Sequence, residues 1–94
     1  MRMKMKTLPS HLIPYKKTNI FNQETIPAAL LNDHSTKSGV WGKICLLEGE
    51  LLYTITQTNE EYRLNEEIYG VVEPEVKHKV TPLGNVRFYV EFYK

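Results

Sequence analysis

A single cysteine, Cys45, is present in this 94-residue chain. No intrachain disulfide can form, and the bridges on which small secreted domains depend are excluded. The chain is therefore expected to be cytoplasmic. Long apolar runs are missing too: none approaches the ~20 residues that span a bilayer, so no membrane partner is expected. The segment Met1-Arg2-Met3-Lys4-Met5-Lys6 is basic but has no apolar stretch behind it, unlike a secretory signal. There is no Gly-x-Gly-x-x-Gly turn, P-loop, Cys-x-x-Cys pair or His-Glu-x-x-His helix, so no nucleotide cofactor is expected and no catalytic set can be identified. Whether the chain is an enzyme stays open at this level. Repeats and low-complexity tracts are absent, and nowhere does a 3.6-residue period persist for three turns.

What is present is ordinary for a globular chain: 41% hydrophobic and 24% charged residues. This length suits one domain that buries roughly two thirds of its unfolded surface. The net charge of +1 conceals an uneven distribution. Five basic residues (Arg2, Lys4, Lys6, Lys16, Lys17) and no acidic one fall within positions 1–17. The remaining seven basic and eleven acidic residues give a net of −4. Residues 1–10 read as a flexible basic arm and 11–94 as the folded domain. A basic arm can touch nucleic acid, but the acidic body lacks the interleaved aromatic and basic residues of a single-strand binder, so no nucleic-acid partner is expected.

Pro9, Pro14 and Pro27 argue against a long helix in the first third. Thereafter a period of two dominates. Residues 28–34 read as a short strand. Residues 40–47 read as another, with Val40, Ile44 and Leu46 on one face. Glu48-Gly49 then reads as a tight hairpin into 50–56, glycine taking positive φ. Residues 60–65 form a weak edge strand, 69–73 a short strand stopped by Pro74, and 78–80 another ending near Pro82. After a turn at Leu83-Gly84-Asn85, the stretch 86–93 alternates cleanly, with Val86, Phe88, Val90 and Phe92 on one face and Arg87, Tyr89, Glu91 and Tyr93 on the other. Seven or eight short strands imply an all-β sandwich or barrel.

Three pieces of the sequence carry a resemblance. They are His34-x4-Gly39-Val40-Trp41-Gly42-Lys43 running into Leu47-Glu48-Gly49-Glu50-Leu51, then Val72-Glu73-Pro74-Glu75-Val76-Lys77-His78-Lys79-Val80, and finally Phe88-Tyr89-Val90-Glu91-Phe92-Tyr93. Together they resemble small cupins, and more narrowly the TehB/YeaR-like family, the cupin domain of tellurite-resistance proteins. The resemblance covers about 11–94. It implies a compact antiparallel β-barrel of jelly-roll type, often a homodimer, with one interior pocket that in many cupins holds a divalent metal (Zn, Fe or Ni). The sequence departs from that pattern. The usual His-x-His pair followed by Glu is missing, and Glu75 stands where a glycine follows the proline of the second motif. A three-His-one-Glu site cannot form.

His78 is the sharpest candidate. It shares a face with Val76 and Val80 while Lys77 and Lys79 point away, so it is expected inside. It also matches the histidine of the second cupin motif. Neutral imidazole is a common metal ligand, and a hydrogen-bonded core histidine is the plain alternative. His34 lies 44 residues earlier, and only the topology could bring the two together. Glu91 completes a two-His-one-carboxylate set if its face lines the pocket; if not, it is a solvated strand charge. Trp41, Lys43, Tyr53 and Tyr89 are candidate pocket residues, with core or interface packing as the alternative. The reading that follows is a small-molecule or oxyanion binder, with a metal on His34, His78 and Glu91, acting in tellurite or oxyanion stress. A non-catalytic dimerisation or docking module is the alternative.

Overall fold

The structure is a computed structural model and describes residues 5–94. Among these residues the chain forms strands β1 (Pro14–Lys17), β2 (Phe21–Asn22), β3 (Trp41–Glu48), β4 (Leu51–Ile55), β5 (Glu60–Leu64), β6 (Gly70–Val72), β7 (Lys79–Pro82) and β8 (Arg87–Tyr93), with one helical turn, α1 (Ala28–Leu31). One sheet runs β1-β8-β3-β6, with β2 also pairing to β8; the second runs β5-β4-β7. Every pairing is antiparallel. The all-β antiparallel architecture read from the alternation is the one formed. No helix among the described residues is long and apolar enough to cross a membrane.

The alternation explains the packing. In β3 and β8 the register opposes Ile44 to Val90 and Leu46 to Phe88, so one apolar row faces inward. Tyr53 of β4 stands opposite Val80 of β7, and Leu51 opposite Leu64 of β5. Both rows merge into one cluster between the sheets, with Leu51, Leu64 and Phe88 fully buried. Each such side chain contributes about 1.5–3 kcal/mol of transfer free energy. Tyr53 adds a polar link across the layers: its hydroxyl donates to the Val71 carbonyl of β6 at 3.0 Å.

Three local expectations are corrected. The strand expected over 28–34 is instead α1 followed by a lone bridge at His34. Pro27 presets φ at −57°, and its carbonyl accepts the Leu30 N–H at 2.9 Å. The Asn32 side chain then donates to the Ala28 carbonyl at 2.8 Å, satisfying a terminal acceptor. The Glu48-Gly49 turn is not a hairpin but a corner between sheets. Strand β8 takes one edge of β3 and β6 takes the other over Gly42, Lys43 and Ile44, while β4 crosses to the other layer and pairs with β5 and β7. Gly49 does take positive φ, +78°, and a Cβ there would lie 2.1 Å from the Asn85 carbonyl oxygen. Strands β1 and β2 were not expected: β1 is exposed throughout, so it carries no alternation, and its proline sits at the first position of an outer strand.

Of the arm expected over 1–10, residues 1–4 lie outside the described residues. Met5 packs against the core, its sulfur accepting the Val71 N–H at 3.0 Å, and the Lys6 ammonium stands 3.6 Å from the Glu73 carboxylate. Glu75 itself adopts φ +64°, the left-handed conformation that glycine takes without penalty.

Candidate functional site

The segment after α1 and the one entering β7 meet at two histidines. His34 N–H donates to the His78 carbonyl at 3.0 Å, and His78 N–H donates back to the His34 carbonyl at 2.9 Å. The ring centroids stand 4.1 Å apart. Each imidazole is held in the same way: Nδ1 of His78 is 2.9 Å from the Val76 carbonyl oxygen, and Nδ1 of His34 is 3.1 Å from that of Asn32. A carbonyl can only accept, so Nδ1 carries the proton in both rings, and in the neutral form Nε2 is the free lone pair. His78 is 3% exposed. Burial pushes it down to about 4, helped by His34 and opposed by the bond to the Val76 carbonyl, so it is neutral near pH 7.

Both histidines line a cavity of about 370 Å³. Its wall is largely apolar, from Ile44, Val72, Val80, Phe88, Val90 and Phe92. Gly42, the inward residue between Val40 and Ile44, leaves part of the room. A Cβ there would come 3.2 Å from Val72 Cβ and 3.7 Å from Val90 Cγ1. The polar lining is Tyr15, Lys16, His34, Ser35, Thr36, Lys37 and His78, and among the described residues no carboxylate lines it. Lys16 and Lys37 are exposed and form the rim. The loop that presents Lys37 is tied down. Thr36 Oγ1 donates to the Val40 carbonyl at 2.7 Å, Val40 N–H to the Lys37 carbonyl at 3.0 Å, and Glu75 N–H to the Thr36 carbonyl at 3.1 Å.

The topology thus brings His34 and His78 together but leaves the other candidates elsewhere. Glu91 lies on the opposite face of β8 from Phe88 and Val90, in register with Lys43 and Lys17, and accepts the Tyr93 hydroxyl at 2.7 Å. It is not among the cavity-lining residues. Trp41, Lys43 and Tyr89 occupy the same outer face, since they alternate with Gly42, Ile44 and Phe88. There the Lys43 ammonium sits 4.5 Å from the Tyr69 ring centroid and that of Lys17 5.4 Å from Tyr89. Cys45 shares this face, and burial pushes its thiol up. Tyr53 is a core residue whose ring meets His78 edge-on at 5.7 Å. Among the described residues no three His, Cys, Asp or Glu side chains are grouped so as to hold a metal. Two imidazoles therefore fit part of a metal site, and a saturated protein site does not fit.

Sequence reasoning missed Lys16, Thr36 and Lys37. Lys16 lies on an exposed strand without alternation, so nothing local marks its direction. The polar run Ser35-Thr36-Lys37-Ser38-Gly39 marks a loop, and loops commonly carry binding residues.

Comparison with known proteins agrees with this fold. The family model described as the TehB-like domain matches residues 16–90. Two Haemophilus influenzae proteins, each a "Probable S-adenosyl-L-methionine-dependent methyltransferase TehB", are 30% and 29% identical over 83 residues. The match covers 83% of this chain but only 29% of the length of those curated relatives. The crystal structure of TehB from H. influenzae superposes with a TM-score of 0.80 at 29% identity, over 89% of this chain and 32% of that one. An Escherichia coli protein of known structure superposes with a TM-score of 0.85 over 96% of this chain and 97% of that one; at 20% identity it supports the fold alone.

Proposed function

The chain belongs to the TehB-like domain family, related to tellurite-resistance proteins, and from that premise we propose that it binds a small anion in the cavity beneath His34 and His78, in the service of tellurite or related oxyanion resistance. One observation carries the reading: among the described residues the formal charges lining the cavity are Lys16 and Lys37, and no carboxylate stands among them. Cations at the rim raise the local concentration of an anion and neutralise it on entry. Ser35 adds a hydroxyl donor. A backbone-tied loop keeps the entropy cost of binding low.

The test is a titration of the isotope-labelled protein with phosphate, sulfate and tellurite, followed by amide and imidazole resonances. Saturable shifts at Lys16, His34, Thr36, Lys37 and His78 are expected, and Lys16→Ala/Lys37→Ala should weaken binding at least tenfold. Shifts spread over the surface with no effect of the double variant would refute the reading.

A second reading rests on the shared Nδ1–carbonyl anchor. Metal-ligating histidines commonly donate their other ring nitrogen to a carbonyl, which fixes the tautomer and aims Nε2. A divalent ion on His34 and His78 would act as a Lewis acid and anchor for the same anion. Elemental analysis of protein purified without a metal-affinity step, repeated on His78→Ala, decides it: about one metal per chain, lost in the variant, supports the ion, and none in either sample removes it.

A further inference from the structure

The cavity is more specific than a general anion site, and the following rests on the anion-binding reading above. Its volume, about 370 Å³, is the room of roughly a dozen waters at about 30 Å³ each. A bare inorganic oxyanion fills a small part of that. The remainder would stay as water against Leu30, Val40 and Phe92, the apolar lining residues that are partly exposed, which offer it no hydrogen bonds. Moving such an ion deeper would strip its hydration without replacement, a cost of several kcal/mol or more. Among the described residues the charges lie at the rim, on Lys16 and Lys37, while the far wall is aliphatic and aromatic. Gly42 withholds a side chain from the wall that Val72 and Val90 form beside it.

We propose that the natural ligand is an amphipathic organic anion. Its carboxylate or similar head sits between Lys16 and Lys37, and an apolar body lies against Leu30, Val40 and Phe92. The polarity gradient runs from rim to wall, so the ligand enters body first and its charge stays at the mouth. A half-solvated head also explains how exposed lysines suffice: the charge is never fully desolvated.

The experiment is calorimetry at fixed pH and ionic strength with acetate, butanoate, hexanoate and octanoate, with hexanamide as the neutral analogue and phosphate and tellurite as bare oxyanions. Resonances of Leu30 and Val40 locate the bound body. Affinity is expected to rise about three- to fourfold per methylene until the cavity is full. Hexanoate should bind at least tenfold tighter than hexanamide. Lys16→Ala/Lys37→Ala should erase that preference. A flat dependence on chain length, or phosphate binding tighter than hexanoate, overturns this inference alone. Silence of the cavity resonances toward every anion, organic and inorganic, overturns it together with the anion-binding reading.

Discussion

His34 and His78 are joined twice through the backbone and once through their rings, at a centroid separation of 4.1 Å. Residues 44 positions apart in sequence thus share one bridge, which closes the segment after α1 over the start of β7. Only one ring is deeply buried. His78 must be neutral to sit there, and its folded pKa of about 4 lies below the ordinary histidine value of 6.5. Between those values the unfolded chain binds more protons than the folded one, so stability falls as pH is lowered from about 6.5 towards 4. The loss amounts to at most about 3.5 kcal/mol at 1.36 kcal/mol per pH unit. Asparagine at this site keeps a donor near the position of Nδ1 but does not titrate. Urea unfolding of metal-free protein across that window should therefore show a clear pH slope in the wild type and a shallower one in His78→Asn.

Tyr53→Phe should cost about 1–3 kcal/mol. The hydroxyl of Tyr53 on β4 is buried and donates to the Val71 carbonyl of β6, in the opposite sheet. Deleting it removes a link between layers and leaves a buried acceptor with one partner fewer, which is more expensive than the net worth of the bond. Chemical denaturation should show a lowered midpoint with an unchanged slope, since the surface exposed on unfolding is the same.

How much of this was legible in the sequence depends on burial. The clean alternation of 86–93 and the inward phase of His78 translate directly into geometry, because one face of each strand is covered. Glu48-Gly49 was legible as a turn but not as a corner. Local residues report that the chain reverses, whereas pairing with β5 and β7, strands further along the chain, places β4 in the second sheet. The rim of the cavity was not legible at all. Lys16 lies on an exposed strand whose place beside β8 comes from pairing with a segment more than 70 residues away. Glu91 shows the converse limit. Its residue type suits a ligand, but its phase puts it with Tyr89 and Tyr93, and the aliphatic row of β8 takes the inside.

Gly49→Ala and Gly84→Ala should separate two costs that glycine replacement usually mixes. Both positions have positive φ, +78° and +99°. A Cβ at Gly84 meets nothing within 4 Å, so its penalty is conformational, about 1–2 kcal/mol. At Gly49 the same atom would overlap the Asn85 carbonyl oxygen, a backbone atom that no rotamer change can move aside. The corner would have to open, loosening the turn that precedes β8. Gly49→Ala should lose at least twice the stability lost by Gly84→Ala in parallel thermal or urea unfolding. Equal losses would mean that the corner relaxes freely.

Glu91→Gln should leave the cavity untouched while changing the outer face. The Glu91 carboxylate accepts the Tyr93 hydroxyl and helps push that phenol up to about 12. Neutralising the side chain removes both the charge and the stronger hydrogen bond, so Tyr93 should titrate closer to the ordinary tyrosine value of 10. Carbon-detected NMR of the tyrosine ring reads this directly. Phosphate or hexanoate affinity should stay within about twofold, because Glu91 lies on the face of β8 turned away from the cavity, where solvent and salt screen its charge. If binding instead collapses together with the Tyr93 shift, the carboxylate is coupled to the ligand through β8, and Glu91 regains the place beside His34 and His78 that its residue type invites.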